Sequence, residues 1–535
     1  MENYKVFIPC AGIGSRLNLK YNKALVTVGQ KPAICHIIDK FEHNIEIVIA
    51  LGHDGDNVKQ VVDLIYSDRN ITYVNIDPYE GKGSGIGLTV IQCKTYLQAP
   101  FIFCTCDTII SEAIPKPTNN WIGFSSFSPY DGSLIEPNEF SRHYRSICLQ
   151  DGIVTDICSK NAKGQYPYIG LCGIYDYELF WQKMEEGQEC GSIEMGEAYG
   201  LKHLLHNTVY AKEFSWFDTG NPDSLLYTRK CLTSEIKANI LPKDDEAIWF
   251  VDDKVIKFSI DQLFIANRVL RSCNLGGYVP HVEASTPNSY VYKIQKGKIL
   301  PSELNITLFN HLLDLLTDFW QPVVLDKCSE IDSACRIFYK DKTHKRIKQY
   351  FKTFEQIDQP ENINGVDVPA VQEILDKINW DWICKGLPTS RFHGDLHFEN
   401  ILVDDNNNFI FLDWRQDFAG VLGHGDIYYD LAKLNSGIII AHSLIFQELY
   451  SHSILNNVVR FDFLRKNISI EIEQRFKEFV LEQGYDYKKV QYLTYLVFLN
   501  CAALHHYPYG LLLFHLGKLG LWKLLQETIE ENLKK

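Results

Sequence analysis

The stretch HGDLHFENILVDDNNNFIFLDW, residues 393–414, constrains the C-terminal half of the chain more than any other. ILV and FIFL are short apolar runs of strand length. DDNNN between them supplies residues that tolerate positive φ, so the segment predicts a loop, a strand, a turn and a second strand. Asp395 falls in the loop five residues before Asn400, and Asp413 closes the second run. A hairpin brings Asn400 and Asp413 together although they are 13 positions apart. Each offers an oxygen suited to Mg²⁺, which leaves Asp395 free to orient a hydroxyl or take its proton. A metal clamp beside a positioned nucleophile is what phosphoryl transfer requires. His393 and His397 read as braces of the loop.

A second site is predicted near the N-terminus. KVFIPCAG, IEIVIALG, ITYVNID and FIFCTCD are strand-like runs, and an amphipathic stretch around Val58–Ile65 separates two of them. Strands alternating with helices predict a parallel sheet covered on both faces, with ligands beyond the C-terminal strand ends. AGIGSRLN lies there. Gly12 and Gly14 let backbone N–H groups approach a phosphate, and Arg16, Lys23 and Lys31 supply charge for a triphosphate; a tight turn and a solvated lysine are the competing readings. Asp107 ends the fourth run, and Asp218 enters the turn in FSWFDTGNPDSLLY. Two such carboxylates could share one metal.

The 535 residues predict two or three domains. The apolar fraction of 46% and charged fraction of 22% are those of an ordinary folded protein. A net charge of −14 argues against a general nucleic-acid binder. Fifteen cysteines without a C-x-x-C pair read as reduced cytosolic thiols, with Cys104 and Cys106 on one strand face. Neither a signal peptide nor a run of about 20 apolar residues is found, so a cytoplasmic protein without a membrane span is expected.

AGIGSRL, NKAL, KP, a strand-end Asp and WFDTGNPDSL together resemble the sugar-phosphate and amino-alcohol-phosphate nucleotidyltransferases over roughly residues 3–230. The tail motif is similar to that of sugar-1-phosphate thymidylyl- and uridylyltransferases, and the opening resembles cytidylyltransferases for choline phosphate and polyol phosphates. The resemblance implies that Ala11, Gly12, Gly14, Arg16 and Lys23 hold the nucleotide, with Arg16 and Lys23 catalytic. It implies that Gly83 and Gly85 of GKGSGIG face the base or phosphates, and that Asp107 and Asp218 bind Mg²⁺. Glu194 and Glu197 are candidates for the acceptor pocket, although a solvated helix face explains either.

The second half begins near KANILPKDDE. AIWFVDDKVIKFS reads as a hairpin turning at Asp252-Asp253, with Lys257 placed to meet the α- and β-phosphates of ATP. HGDLHFEN and LDW resemble the motifs of aminoglycoside phosphotransferases and choline or ethanolamine kinases, over about residues 245–450. In that resemblance Asp395 is catalytic, Asn400 and Asp413 hold Mg²⁺, and Asp426 and Asp430 of GDIYYDLAKL cap and brace. SYVYKIQKGKIL resembles the segment between kinase lobes. Two departures stand out. The helix IDQLFIANRVL carries Asn267 and no glutamate for Lys257, and Arg415 follows the metal motif, where it could read an anionic or sugar-like acceptor. From roughly 455 onward helices are expected, with His505, His506 and Tyr507 capping or packing at a helix end.

The expected fold class is α/β. A Rossmann-like (GT-A-type) mixed-sheet nucleotidyltransferase domain at 1–235 precedes a two-lobed protein-kinase-like α+β domain at 241–535. The expected chemistry is phosphorylation of a small alcohol, amino alcohol or sugar by ATP, followed by transfer of a nucleotidyl group, CMP from CTP, to the product for surface polysaccharide synthesis. UTP and dTTP remain open. A non-catalytic kinase-like module and an antibiotic phosphotransferase are the rival readings.

Overall fold

A computed structural model describes residues 4–135, 143–160, 162, 164–233, 245–324 and 328–534. The chain has a mixed α/β fold and divides into two compact units, residues 1–262 with 283–292, and residues 263–282 with 293–535. The boundary expected at KANILPKDDE lies outside the described residues.

The first unit is built on nine strands: β1 (Lys5–Cys10), β2 (Glu46–Leu51), β3 (Ile71–Asn75), β4 (Phe101–Cys104), β5 (Asn120–Phe124), β6 (Ser146–Gln150), β7 (Ile153–Cys158), β8 (Tyr166–Ile174) and β9 (Val209–Glu213). Their order across the sheet is β3-β2-β1-β4-β8-β5-β9-β7-β6. β1 runs parallel to β2 and β4, and β2 to β3. β8 runs antiparallel to β4 and β5, which makes the sheet mixed. The central strands are buried on both faces and read as unbroken apolar runs for that reason. Around the sheet lie α1 (Gly55–Ile65), α2 (Ile86–Gln92), α3 (Glu197–Leu204) and α4 (Pro222–Cys231). α1 buries Val58, Val61, Val62 and Ile65 on one stripe, as its 3–4 residue spacing dictates. α4 starts where Asn221 accepts a hydrogen bond from the Ser224 N–H and Pro222 takes the first turn.

A second sheet in this unit contains β10 (Glu246–Val251), β11 (Lys254–Ser259), β12 (Val282–Thr286) and β13 (Ser289–Lys293), in the order β10-β11-β13-β12. β10 and β11 form the expected hairpin, and Asp252 takes the positive φ (53°) its turn needs. Trp249 is fully buried, and its indole N–H donates to Thr27 Oγ1 at 2.9 Å. These strands therefore share a hydrophobic core with the nine-stranded sheet.

The second unit is mainly helical. It includes α5 (Gln262–Leu275), α6 (Lys342–Thr353), α7 (Ile427–Ile439), α8 (Tyr487–Ala502) and α9 (Tyr509–Lys534). Between α6 and α7 lies the expected hairpin, β14 (Ile401–Val403) against β15 (Phe409–Phe411), with Asn407 at φ 61° in its turn. The expectation of helices from about 455 is corrected for its first residues. Tyr450–Leu455 and Val458–Phe463 pair antiparallel through Asn456-Asn457, and helix resumes only at Asn467. The fourteen cysteines whose side chains are described are free thiols, most of them buried, and Cys106 lies past the end of β4 rather than on it. Among the described residues no helix is long and apolar enough to cross a membrane.

Gly87 on α2 faces a place where only hydrogen fits. A Cβ there would stand 2.1 Å from the Ser192 carbonyl oxygen and 2.5 Å from Ile193 Cα, both backbone. Gly87→Ala is therefore expected to cost about 1–3 kcal/mol. Guanidinium unfolding checks this, and an unchanged midpoint would contradict such close packing of α2.

Candidate functional site

The first cluster is assembled from loops at the ends of β1 and β4. Gly14 has φ 66°, and a Cβ there would touch the Lys23 stem at 3.3 Å. Lys23 stands on the single helical turn Lys23–Leu25, capped by the buried Asn22 side chain. That amide also donates to the Cys10 and His53 carbonyls at 2.8 and 2.6 Å, which pins the glycine loop to β1. Lys23 Nζ reaches Asp107 Oδ2 at 2.5 Å. Burial raises the Asp107 pKa, but the charge and hydrogen bond of Lys23 overcome it and hold the carboxyl below its ordinary value. Burial lowers the Lys23 pKa, and Asp107 more than restores it.

Asp218 ends the short strand Trp216–Asp218, which pairs antiparallel with Thr108–Ile110, so that Asp218 lies opposite Thr108. Its Oδ2 accepts from Ser224 Oγ (2.6 Å), the Tyr144 hydroxyl (2.8 Å) and Asn221 Nδ2 (3.0 Å). Burial and then the Asp107 charge push its pKa up. Gly220 leaves a hollow among these groups: a Cβ there would lie 3.0 Å from Asp107 Oδ2, 3.1 Å from Asp218 Oδ1 and 3.4 Å from Arg16 Nη2. Two mutually repelling carboxylates with their oxygens around such a hollow fit a divalent, oxygen-seeking cation.

The structure thus brings together Gly14, Arg16, Lys23, Asp107 and Asp218. Gly12 is open to solvent on its Cβ side, and Ala11 is buried with its carbonyl accepting from the His53 N–H. Gly83 and Gly85 lie in an exposed loop, Gly83 at φ 87°. Lys31 departs from the phosphate role expected of it: its ammonium pairs with Asp39. Of the two acceptor candidates, Glu194 is exposed and Glu197 is buried, near Arg145, Lys160 and Tyr168. Sequence reasoning missed Tyr144, Ser224 and Gly220. The Asn-Pro-Asp-Ser turn after Asp218 was the available signal for Ser224.

The second cluster is the hairpin loop. His393 is fully buried. Its Nδ1 accepts from the Asp395 N–H at 3.2 Å, so its Nε2, 2.9 Å from the Leu412 oxygen, carries the proton. Burial lowers its pKa to about 3, consistent with a neutral ring that braces. Asp430 on α7 accepts from the His393 and Gly394 N–H groups at 2.9 and 2.6 Å and from the Trp320 indole at 3.2 Å. Burial still raises it to about 6. Asp426 caps α7 by accepting from the Tyr428 N–H. Both aspartates play the bracing parts expected of them. Arg271 on α5 donates to the Arg415 and Phe392 carbonyls and ties the two sides of the loop.

Asp395 Oδ1 meets Lys433 Nζ at 2.6 Å. Burial raises the Asp395 pKa, but Lys433 and then His397 outweigh it, and the carboxyl is held well below its usual range. Sequence reasoning missed Lys433; its spacing three residues after Asp430 puts both on one face of α7. Asn400 donates Nδ2 to the Asp395 carbonyl at 2.9 Å, which leaves Oδ1 as an acceptor. Asp413 sits at φ 57°, a region side chains rarely adopt, and its Oδ1 meets Arg268 Nη1 at 2.5 Å. Asn400 and Asp413 offer the oxygen donors a hard divalent cation takes. Arg268, one residue after Asn267, was not foreseen.

His397 Nδ1 and His442 Nδ1 lie 2.9 and 3.0 Å from the two Glu399 oxygens, which braces the loop behind Asp395. His505 packs on Tyr509 with ring centroids 4.8 Å apart, and Tyr507 is exposed. Lys257 is half-buried in β11 opposite Ile248, in the first unit.

Residues 344–443 match the model of the phosphotransferase enzyme family. The C-terminal half carries a phosphotransferase-family domain. The N-terminal region resembles the bifunctional protein GlmU and sugar nucleotidyltransferases. GlmU of Methanococcus vannielii is 27% identical over 250 residues, 44% of this chain and 57% of the relative. GlmU of Methanococcus maripaludis is 24% identical over 264 residues, 47% of this chain and 59% of the relative. The matches thus span under two thirds of these relatives. Among solved structures, the inositol-1-phosphate CTP transferase of T. maritima aligns at TM-score 0.34 and 9% identity, covering 44% of this chain and 99% of that one. A nucleoside-diphosphate-sugar pyrophosphorylase of Vibrio cholerae aligns at TM-score 0.34 and 12% identity, covering 42% and 99%.

Burial raises the Glu197 carboxyl from 4.5 to about 6. A carboxyl that binds its proton more tightly when folded favours folding below its unfolded pKa, and that contribution is lost as pH rises through 6. Glu197→Gln removes the loss. The variant is expected to gain stability over the parent between pH 4.5 and 7.5, reaching about 2 kcal/mol. Urea unfolding at both pH values checks this, and a gap that narrows with rising pH would contradict it.

Proposed function

We propose that the chain is a bifunctional enzyme. Its C-terminal domain, residues 241–535, phosphorylates a small alcohol or sugar with ATP. Its N-terminal domain, residues 1–235, transfers a nucleotidyl group, CMP from CTP, to that phosphate and releases pyrophosphate. The observation that carries this reading is that one chain holds two separate aspartate clusters, each with a half-buried lysine laid on its key carboxylate.

In the kinase reaction Asp395 orients the acceptor hydroxyl toward the γ-phosphorus, and Asn400 and Asp413 hold Mg²⁺. When bound, that ion offsets charge on the phosphates. His393 and Asp430 fix the loop, so the Asp395 carboxylate needs little rearrangement when substrate arrives.

In the nucleotidyl transfer the attacking phosphate monoester is already anionic near neutral pH, its second pKa being about 6, so no strong base is needed. Gly12, Gly14, Arg16 and Lys23 hold the triphosphate with its α-phosphorus in line, and Ala11, Gly83 and Gly85 line the nucleotide site. Asp107 and Asp218 hold a second Mg²⁺. Consecutive use of one phosphate ester suits activation of a building block for surface polysaccharide by a cytoplasmic protein.

Incubation with ATP, each NTP in turn and a metabolite extract, followed by a search for new nucleotide-linked masses, tests the reading and names the nucleotide. UTP or dTTP products would revise only the base. Absence of phosphotransfer would make the C-terminal domain a binding module, and turnover of aminoglycosides alone would make it an antibiotic kinase. The two activities are expected to separate. Asp395→Asn should lower phosphorylation by about 10³-fold and leave nucleotidyl transfer within about twofold. Lys23→Met and Asp107→Asn should do the reverse. Loss of both activities in a folded variant would defeat the two-site reading.

A further inference from the structure

The residues around Asp395 carry more positive charge than its own ionisation requires. Lys342 and Arg346 lie one turn apart on α6, and such like charges repel when nothing lies between them. Arg415 comes from the chain just past Asp413. Its guanidinium carbon stands 4.8 Å from the Phe338 ring centroid, and the Lys342 ammonium stands 4.0 Å from the same ring and 6.0 Å from Tyr429. Phe338 and Tyr429 pack edge to face at 4.7 Å and form a shared floor.

Lys433 is already engaged by Asp395. Among the described residues no carboxylate forms an ion pair with Lys342, Arg346 or Arg415. Arg346 donates only to the neutral Gln349, and the buried Arg415 Nε has no hydrogen-bond partner. Burial, and then the charges of Arg415, Lys433 and Arg346, depress the Lys342 pKa well below that of an ordinary lysine. Arg415 is also among the charges that act on Asp395. Arg346, Arg415 and Lys433 against Asp395 alone leave a local charge of +2, to which Lys342 adds when protonated, in a chain whose net charge is −14.

Stacking on aromatic rings is worth about 0.5–2 kcal/mol per cation, and it does nothing to relieve repulsion between cations that share a ring. An oxyanion bound among them would do so, and the three side chains are half-buried and still reachable. We propose that Lys342, Arg346 and Arg415 form an oxyanion subsite beside Asp395, and that the alcohol phosphorylated there carries a carboxylate or a phosphate of its own. This rests on the phosphotransferase reading and narrows its acceptor to hydroxylated acids and sugar or polyol phosphates, in preference to neutral sugars or amino alcohols. In the reaction the acceptor oxygen bonds to the γ-phosphorus, and the bond from that phosphorus to the β,γ-bridging oxygen breaks. ADP leaves with the electron pair, and the hydroxyl proton passes by way of Asp395 to solvent. The acceptor's own anionic group takes no part beyond fixing the pose.

The full chain with ATP is assayed against glucose, ribitol, choline, ethanolamine, glucuronate, gluconate, glycerol 3-phosphate and glucosamine 6-phosphate. An oxyanion-bearing acceptor is expected to have the highest kcat/KM. Lys342→Met and Arg346→Gln are each expected to lower that kcat/KM by about 10- to 100-fold, mainly through the acceptor KM. The KM for ATP should stay within about twofold, and Lys342→Arg, which keeps the charge, should recover most of the loss. Thermal melts confirm that each variant is folded. Preference between carboxylate and phosphate acceptors identifies which oxyanion is read. A neutral or cationic acceptor as the best substrate, or variants that raise the KM for ATP and leave acceptor selectivity unchanged, would overturn the subsite while the kinase reading stands. No phosphorylation of any acceptor would overturn the kinase reading and the subsite with it.

Discussion

A lysine laid against an aspartate drawn partly or wholly out of water is the interaction on which both halves of the protein depend. Lys23 meets Asp107 in the first unit and Lys433 meets Asp395 in the second. An aspartate taken out of water without a partner raises its pKa and goes neutral. Each of these does the opposite, because the adjacent ammonium outweighs burial. The geometry behind each pair is costly to build. Asn22 must cap one turn while fastening two backbone strands, and Asp430 must accept three hydrogen bonds to hold the loop that presents Asp395.

Asp218 shows the contrast. Among the described residues no lysine pairs with it, burial and the charge of Asp107 act on it, and its pKa rises. Four hydrogen-bond donors, the Ser224 and Tyr144 hydroxyls, the Asn221 amide and the Gly220 N–H, partly offset that cost. A carboxylate stabilised by neutral donors and repelled by a charged neighbour is poised to accept a cation, whereas Asp107 already has one. The same division recurs in the second unit, where Asp395 is paired with lysine and Asn400 keeps a neutral oxygen.

The local elements were legible because they obey short-range rules. β14, its Asn-rich turn and β15 follow from two apolar runs around DDNNN, and the same local reading places Asp395, Asn400 and Asp413. The hairpin at 450–463 falls partly where helices are expected, from roughly 455 onward. Its signal was Asn456-Asn457, both at positive φ (44° and 62°), as a two-residue hairpin turn demands. Tyr450–Leu455 is largely exposed and shows no clear alternation, but Val459, Phe461 and Phe463 alternate with Arg460 and Asp462, a strand pattern that was legible too. What the sequence could not show were partners from distant elements. Lys433 is 38 positions from Asp395, and Arg268 is 145 positions from Asp413. No periodicity links such pairs; only packing of α5 and α7 against the loop creates them.

The depressed pKa of Asp395 also bears on what this carboxylate can do. A carboxylate held so strongly in its ionised form is a poor proton acceptor, so it cannot strip a hydroxyl before attack. Phosphoryl transfer asks for less, since its transition state is loose and the nucleophile bonds late. Lys433 occupies Oδ1, and His397 Nε2 stands 3.9 Å from Oδ2, too far for a hydrogen bond. Oδ2 is therefore the oxygen left to accept a hydrogen bond from an incoming hydroxyl. In the proposed reaction Asp395 aims that oxygen at phosphorus and takes the proton only once the new bond has made it acidic. Lys433 serves that order of events: it keeps the carboxylate charged until the proton is ready to leave.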